Sequence, residues 1–102
     1  MAIVEVSVVP LGTGTPSVSK YVAKAEKVLE EAKDIKYELT AMGTIIEGDL
    51  ENLLDLVKKM HRVVLDSAGI MRVVTTVKID ERRDKDASIS SKIEAVRREL
   101  GH

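Results

Sequence analysis

The run Thr40-Ala41-Met42-Gly43-Thr44-Ile45-Ile46-Glu47-Gly48-Asp49 constrains this chain more than any other part of it. Two short apolar strands are hinged at a glycine, and the second ends on an acidic residue just before a helical pattern begins. A hairpin that feeds directly into a helix leaves few topologies open. The same run also gathers chemistry. Thr40 and Thr44 offer hydroxyls, Glu47 offers a carboxylate beside a glycine that permits close approach, and Asp49 is placed to cap the next helix. With Met42 and Gly43 at the turn, this set suits recognition of a small polar molecule better than bond-breaking.

The flanking periodicities complete the topology. From Ile3 to Pro10, Val4, Val6 and Val8 share one face and Glu5, Ser7 and Val9 the other, which predicts a central strand. Leu11 to Pro16 breaks it, with Thr15 as helix N-cap and Pro16 in the first helical position. Val18, Tyr21, Val22, Ala25, Val28, Leu29 and Ala32 then recur at helical steps, opposite most of the lysines and glutamates. Ile35, Tyr37 and Leu39 alternate with Lys36, Glu38 and Thr40, as in a strand with one buried face. After Asp49, a second helix carries Leu50, Leu53, Leu54, Val57, Met60 and Val64 as a stripe that ends before Gly69. Leu56 and Val63 lie off that stripe, where they would face either solvent or a second subunit. Ile70 to Ile79 returns to period two, Asp80 to Asp86 reads as a solvated connector, and Ser88 caps a short helix bearing Ile89, Ile93, Val96 and Leu100.

The order βαββαβ plus a terminal helix predicts an α+β ferredoxin-like sandwich: a four-stranded antiparallel sheet with both main helices on one face. A length of 102 residues allows one domain. The opposite face would show Val9 and Val74 beside Glu5, Ser7, Arg72 and Thr76. That is more apolar than solvent alone requires, and it predicts a homo-oligomer formed through this face or through strand edges.

Composition removes several function classes. Sixteen basic and seventeen acidic side chains give a net charge of -1, so no bulk field draws nucleic acid or an anionic membrane. RNA recognition on such a sheet uses stacking aromatics on the central strands. Those strands, taken as Ile3 to Val9 and Ile70 to Ile79, carry none. There is no cysteine, which excludes thiolate metal sites and cysteine nucleophiles. No metal or cofactor is expected. The acid at Glu5, and the lack of any apolar run near the roughly 18 residues that a membrane span needs, predict a cytoplasmic protein with no membrane partner.

Three local features compete as sites. Gly12-Thr13-Gly14-Thr15, leading through Ser17 into a helix, reads either as a turn with a cap or as a loop whose N–H groups hold an anion. His61 and His102 have no evident catalytic partners, His61 reads as a surface helical residue, and no catalytic residue is assigned. Glu47 reads either as an acceptor for an amino-bearing or cationic ligand, or as a strand-end carboxylate paired with Arg72 or a lysine. Three positions separate it from Thr44, so in a regular strand the two side chains face opposite sides.

Several segments together resemble the YkoF-related thiamine-binding domain family. They are Val9-Pro10-Leu11-Gly12, Ser17 to Ala23, Tyr37 through Asp49, Arg72-Val73 and Lys78 to Arg82. The run Met42-Gly43-Thr44-Ile45-Ile46-Glu47-Gly48 is the most specific of them. The resemblance implies a ferredoxin-like fold, dimers or tetramers built through the sheets, and binding of thiamine or its pyrimidine moiety without transformation. Thiamine joins a cationic thiazolium to an aminopyrimidine with donor and acceptor edges, so its pocket needs a carboxylate, hydroxyls and apolar walls. Glu47, Thr44, Thr40, Ser17 and the Gly12–Thr13–Gly14 loop would supply the polar parts, and Tyr21 or Tyr37 a ring.

The function this implies is non-catalytic: a carrier, buffer or sensor of thiamine or its aminopyrimidine part. The alternative is a regulatory or structural oligomeric domain that senses a different metabolite.

Overall fold

Alternation in the first strand from Val4 onward sets the layers. In the computed structural model, which describes residues 1–101, β1 runs from Ala2 to Leu11 and buries Ala2, Val4, Val6 and Val8, while Glu5, Val9 and Leu11 are exposed. Helix α1 follows at Ser19–Glu30, β2 at Lys36–Leu39, β3 at Thr44–Gly48, α2 at Leu50–Leu65, β4 at Arg72–Glu81 and α3 at Ile89–Leu100. The strands form one antiparallel sheet in the order β2-β3-β1-β4. This is the ferredoxin-like arrangement expected. The α1 crossover skips one place in the sheet, which β3 then fills, and the α2 crossover passes over β1 to its far side.

That topology corrects one assignment. The central pair is β1 and β3; β4 is an edge strand, although it pairs with β1 over its whole length, from Ala2 opposite Glu81 to Leu11 opposite Arg72. The α2 crossover carries the chain past β1 to its free side, so long pairing does not make β4 central. β3 also lacks an aromatic residue.

The first helix begins later than Thr15 and Pro16 predict. Its N-cap is Val18, which makes no side-chain capping bond. Thr15 is engaged in the loop instead: its carbonyl accepts from the Thr13 hydroxyl at 2.7 Å and its Oγ1 from the Ser17 N–H at 3.3 Å. Gly12 and Gly14 have φ of 74° and 80°, a left-handed path that turns the chain before it can enter a helix. Asp49 stands at the N-cap of α2 as expected, without a side-chain capping bond. Ser88 and Ser91 form a reciprocal capping box at α3.

The core joins β1, β3, α1 and α2, and Val4, Val6, Leu29, Ile46, Leu53, Met60 and Val64 are fully enclosed. Leu56 is also buried, at 5% exposure, and so faces the core rather than solvent or a partner, while Val63 is half-buried against the core at the edge of a surface groove. The stripe is wider than a strict 3.6-residue seam because α2 is flanked by α1 as well as the sheet.

β2 departs from its sequence pattern. None of its four residues is buried, and Tyr37 and Leu39 are 39% and 58% exposed. It is an edge strand from which α1 stands off, and that gap positions the site described below.

The second sheet face is not entirely bare. Ile3, Glu47 and Asp80 share it by register, and the first turn of α3 lies against them: Glu47 Oε2 accepts from the Ile89 N–H at 3.3 Å, and Lys92 pairs with Asp80 at 2.7 Å. Asp80 and Glu81 therefore belong to the strand, and the connector starts at Arg82. There Arg82 bonds Asp84, which raises the guanidinium pKa and holds the exposed carboxyl below its ordinary range. Beyond its first turn α3 buries nothing; Ile93, Val96 and Leu100 stay exposed.

Candidate ligand cleft

Where α1 stands off the β2–β3 hairpin, a cleft of about 320 Å³ opens. α1 contributes Val18, Val22, Ala25 and Glu26; the hairpin contributes Leu39 to Thr44; β1 and α2 close the base with Val6, Val8 and Met60. Its mouth widens into a basin bordered by Ser17, Ser19, Ala23 and Glu30. The volume lies within the roughly 300–1,000 Å³ of small-molecule sites, and the walls are mainly apolar.

The polar groups come from two elements. Thr44 points into the helix layer because it stands opposite Val6 in the β1–β3 register, and it is 3% exposed. Its hydroxyl donates to Glu26 Oε1. Glu26 Oε2 is buried and receives no hydrogen bond from the protein, the one such side-chain atom among the described residues. A desolvated acceptor without a donor is costly, so the atom stands ready for a donor from outside the chain.

The hairpin wall is stapled. The Thr40 N–H and hydroxyl both donate to the Gly43 carbonyl, at 2.8 and 2.7 Å, while Thr40 Oγ1 accepts from the Met42 N–H at 3.2 Å. Gly43 sits in a tight place: a Cβ there would lie 3.0 Å from the Val6 carbonyl oxygen, so the backbone would have to yield by a few tenths of an ångström. Met42 forms the rim and is 86% exposed.

The structure therefore brings Thr40, Met42, Gly43 and Thr44 together, with Ser17 at the mouth. It does not bring Glu47 to them. Glu47 faces the opposite side of the sheet, 4% exposed, at the start of α3, as strand parity requires. Gly12, Thr13 and Gly14 do not line the cleft, and four residues separate Gly14 from Ser19, the first residue of α1, so the loop does not present the helix N-terminus as expected. Tyr21 is a core residue, 7% exposed, with Lys20 Nζ 5.0 Å from its ring centroid. Tyr37 stands beside α3. His61 is half-buried rather than superficial: its Nδ1 lies 2.6 Å from Thr75 Oγ1, tying α2 to β4. His102 lies outside the described residues.

Sequence reasoning missed Glu26. The available signal was an acid one helical turn after Val22, between Ala25 and Leu29, where the amphipathic pattern calls for an apolar residue.

Fold and cleft together define a small α+β protein with a mainly apolar cleft of small-molecule size. The chain belongs to the thiamine-binding protein family, whose model matches residues 4–97. It is 47% identical to the UPF0045 protein YqgV of Bacillus subtilis, over 98% of each chain. It is 48% identical to the UPF0045 protein MJ1052 of Methanocaldococcus jannaschii, over 92% of this chain and 90% of that protein. The crystal structure of MJ1052 superposes with a TM-score of 0.86, covering 93% of this chain and 94% of that one at 46% identity. A Thermotoga maritima protein, named provisionally for thiamine biosynthesis or salvage, shares the fold with a TM-score of 0.75 at 24% identity, over 93% of this chain and 97% of that one.

Proposed function

We propose that this protein binds thiamine or its aminopyrimidine moiety in the cleft between α1 and the β2–β3 hairpin, without transforming it, as a carrier, buffer or sensor. One observation carries the reading: Glu26 holds one carboxylate oxygen on Thr44 and leaves the other without a donor, on the wall of an otherwise apolar cleft. An exocyclic amine or a cationic ring supplies what that oxygen lacks, and the walls suit flat heterocycles. The family's description as thiamine-binding supports the same ligand. In this reading Glu26 takes the role expected of Glu47, with Thr40, Met42, Gly43 and Thr44 beside it.

The protein is further proposed to self-associate in the cytoplasm, as a dimer or tetramer, through the sheet face that carries Val9 and Val74 and the exposed seam of α3. A 12-residue helix that buries none of its own residues is marginal alone in water. A second copy covering Ile93, Val96 and Leu100 would hold it. This seam also favours the rival reading, an assembly domain that senses another metabolite.

Calorimetric titration with thiamine and with the aminopyrimidine fragment decides between them. Saturable binding is expected, with thermal stabilisation equivalent to about 2.7 kcal/mol at one hundred times Kd. No heat and no stabilisation at millimolar thiamine would reject the thiamine reading.

A further inference from the structure

Charge around the cleft is one-sided. Glu26 and Glu30 are the charged side chains on its walls and mouth; no lysine, arginine or histidine among the described residues lines either. This is selective placement, since the chain has sixteen basic residues, several of them on α1 itself. Lys24 Nζ turns away to donate to Ser67 Oγ at 3.0 Å, and Lys24 and Lys27 border a separate groove beside α2. Lys20 lies over the Tyr21 ring.

We infer that the cleft selects the unphosphorylated form of its heterocycle, with Glu26 as the specificity-determining carboxylate and Glu30 guarding the mouth. The inference rests on the binding reading above and deepens it by naming the chemical form bound. A phosphate ester carries roughly -1.5 to -2 charges at neutral pH and is normally held by arginine, lysine or a helix N-terminus. Here it would meet a carboxylate on the wall and another at the exit; the backbone N–H groups that open α1, beside Ser17 and Ser19 at the mouth, carry only partial charge, and no cationic side chain among the described residues lines the cleft. A cationic or N–H-donating ring meets the opposite: an acceptor already oriented by Thr44 and shielded from water, which strengthens the attraction. The bound form is then the free alcohol, the acceptor that a phosphoryl-transfer reaction consumes or the product that phosphate-ester hydrolysis releases.

The test titrates the full-length protein with thiamine, thiamine monophosphate and thiamine diphosphate, followed by Glu26→Gln and Glu30→Gln with folding checked by circular dichroism. Both phosphates are expected to bind the wild type at least about tenfold more weakly than thiamine. Glu26→Gln is expected to weaken thiamine about tenfold and to shrink the gap to the phosphates, and Glu30→Gln to shrink that gap as well. Phosphates that bind the wild type as tightly as thiamine overturn the selectivity while leaving the binding reading intact. A gap unchanged in folded Glu26→Gln overturns the role of that carboxylate; should that variant not fold, an unchanged gap in Glu30→Gln overturns the electrostatic basis. A wild type that binds none of the three overturns the thiamine reading, and the selectivity falls with it.

Discussion

Two carboxylates on opposite sides of one sheet, Glu26 half-buried and Glu47 buried, do different work. Glu26 is tied to the β3 residue Thr44 and keeps an unpaired oxygen at the cleft. Glu47 accepts from the Ile89 N–H, where a negative charge also complements the helix macrodipole of α3. Glu47→Gln keeps an acceptor but removes the charge. It is expected to cost about 1 kcal/mol and to speed amide exchange in α3, measured by urea unfolding and hydrogen exchange. Thiamine affinity should stay unchanged, because Glu47 does not line the cleft; a loss of binding in calorimetry would return that residue to the site. Of this pair, only Glu47 stood out in the sequence, beside a glycine at a strand-to-helix junction. Glu26 was hidden inside a helix whose other charges are solvated, and only proximity in space joins it to Thr44.

At the level of elements, period and punctuation made the order of strands and helices legible, and with it the fold. Distances between layers were not. Alternation in Ile35 to Leu39 suggests a half-buried strand, yet α1 leaves β2 uncovered, and no pattern within one strand encodes how far a helix stands from it. The place of α3 was equally hidden, since Ser88 and the seam announce a helix but not the sheet face it reaches. Width of burial on α2 was the third gap. Leu56 lies off the idealised stripe yet sits in the core, so Leu56→Ala is expected to destabilise the protein by about 2–5 kcal/mol, as a chemical denaturation midpoint would register. A change below about 0.5 kcal/mol would instead mark the position as superficial.

The molecule measures 47 × 29 × 20 Å along its principal axes. Its exposed apolar residues include Val9, Leu11 and Val74 on the open sheet face and Ile93, Val96 and Leu100 on α3. A lone chain gains nothing from that distribution, whereas an assembly buries it. Light scattering should give a mass of two or four chains. Val96→Glu is expected to shift it towards one chain without loss of circular dichroism from the core elements; a wild type that already runs as a single chain would refute the assembly.

The stapled turn from Thr40 to Gly43 has its own consequence for any molecule that enters the cleft. A pocket rim locked by its own backbone before any guest arrives has little disorder left to lose, so the entropic penalty of capture falls mainly on the guest. Entry would then be governed by diffusion and the shedding of water rather than by a closing loop, and release by how firmly one oxygen atom is held.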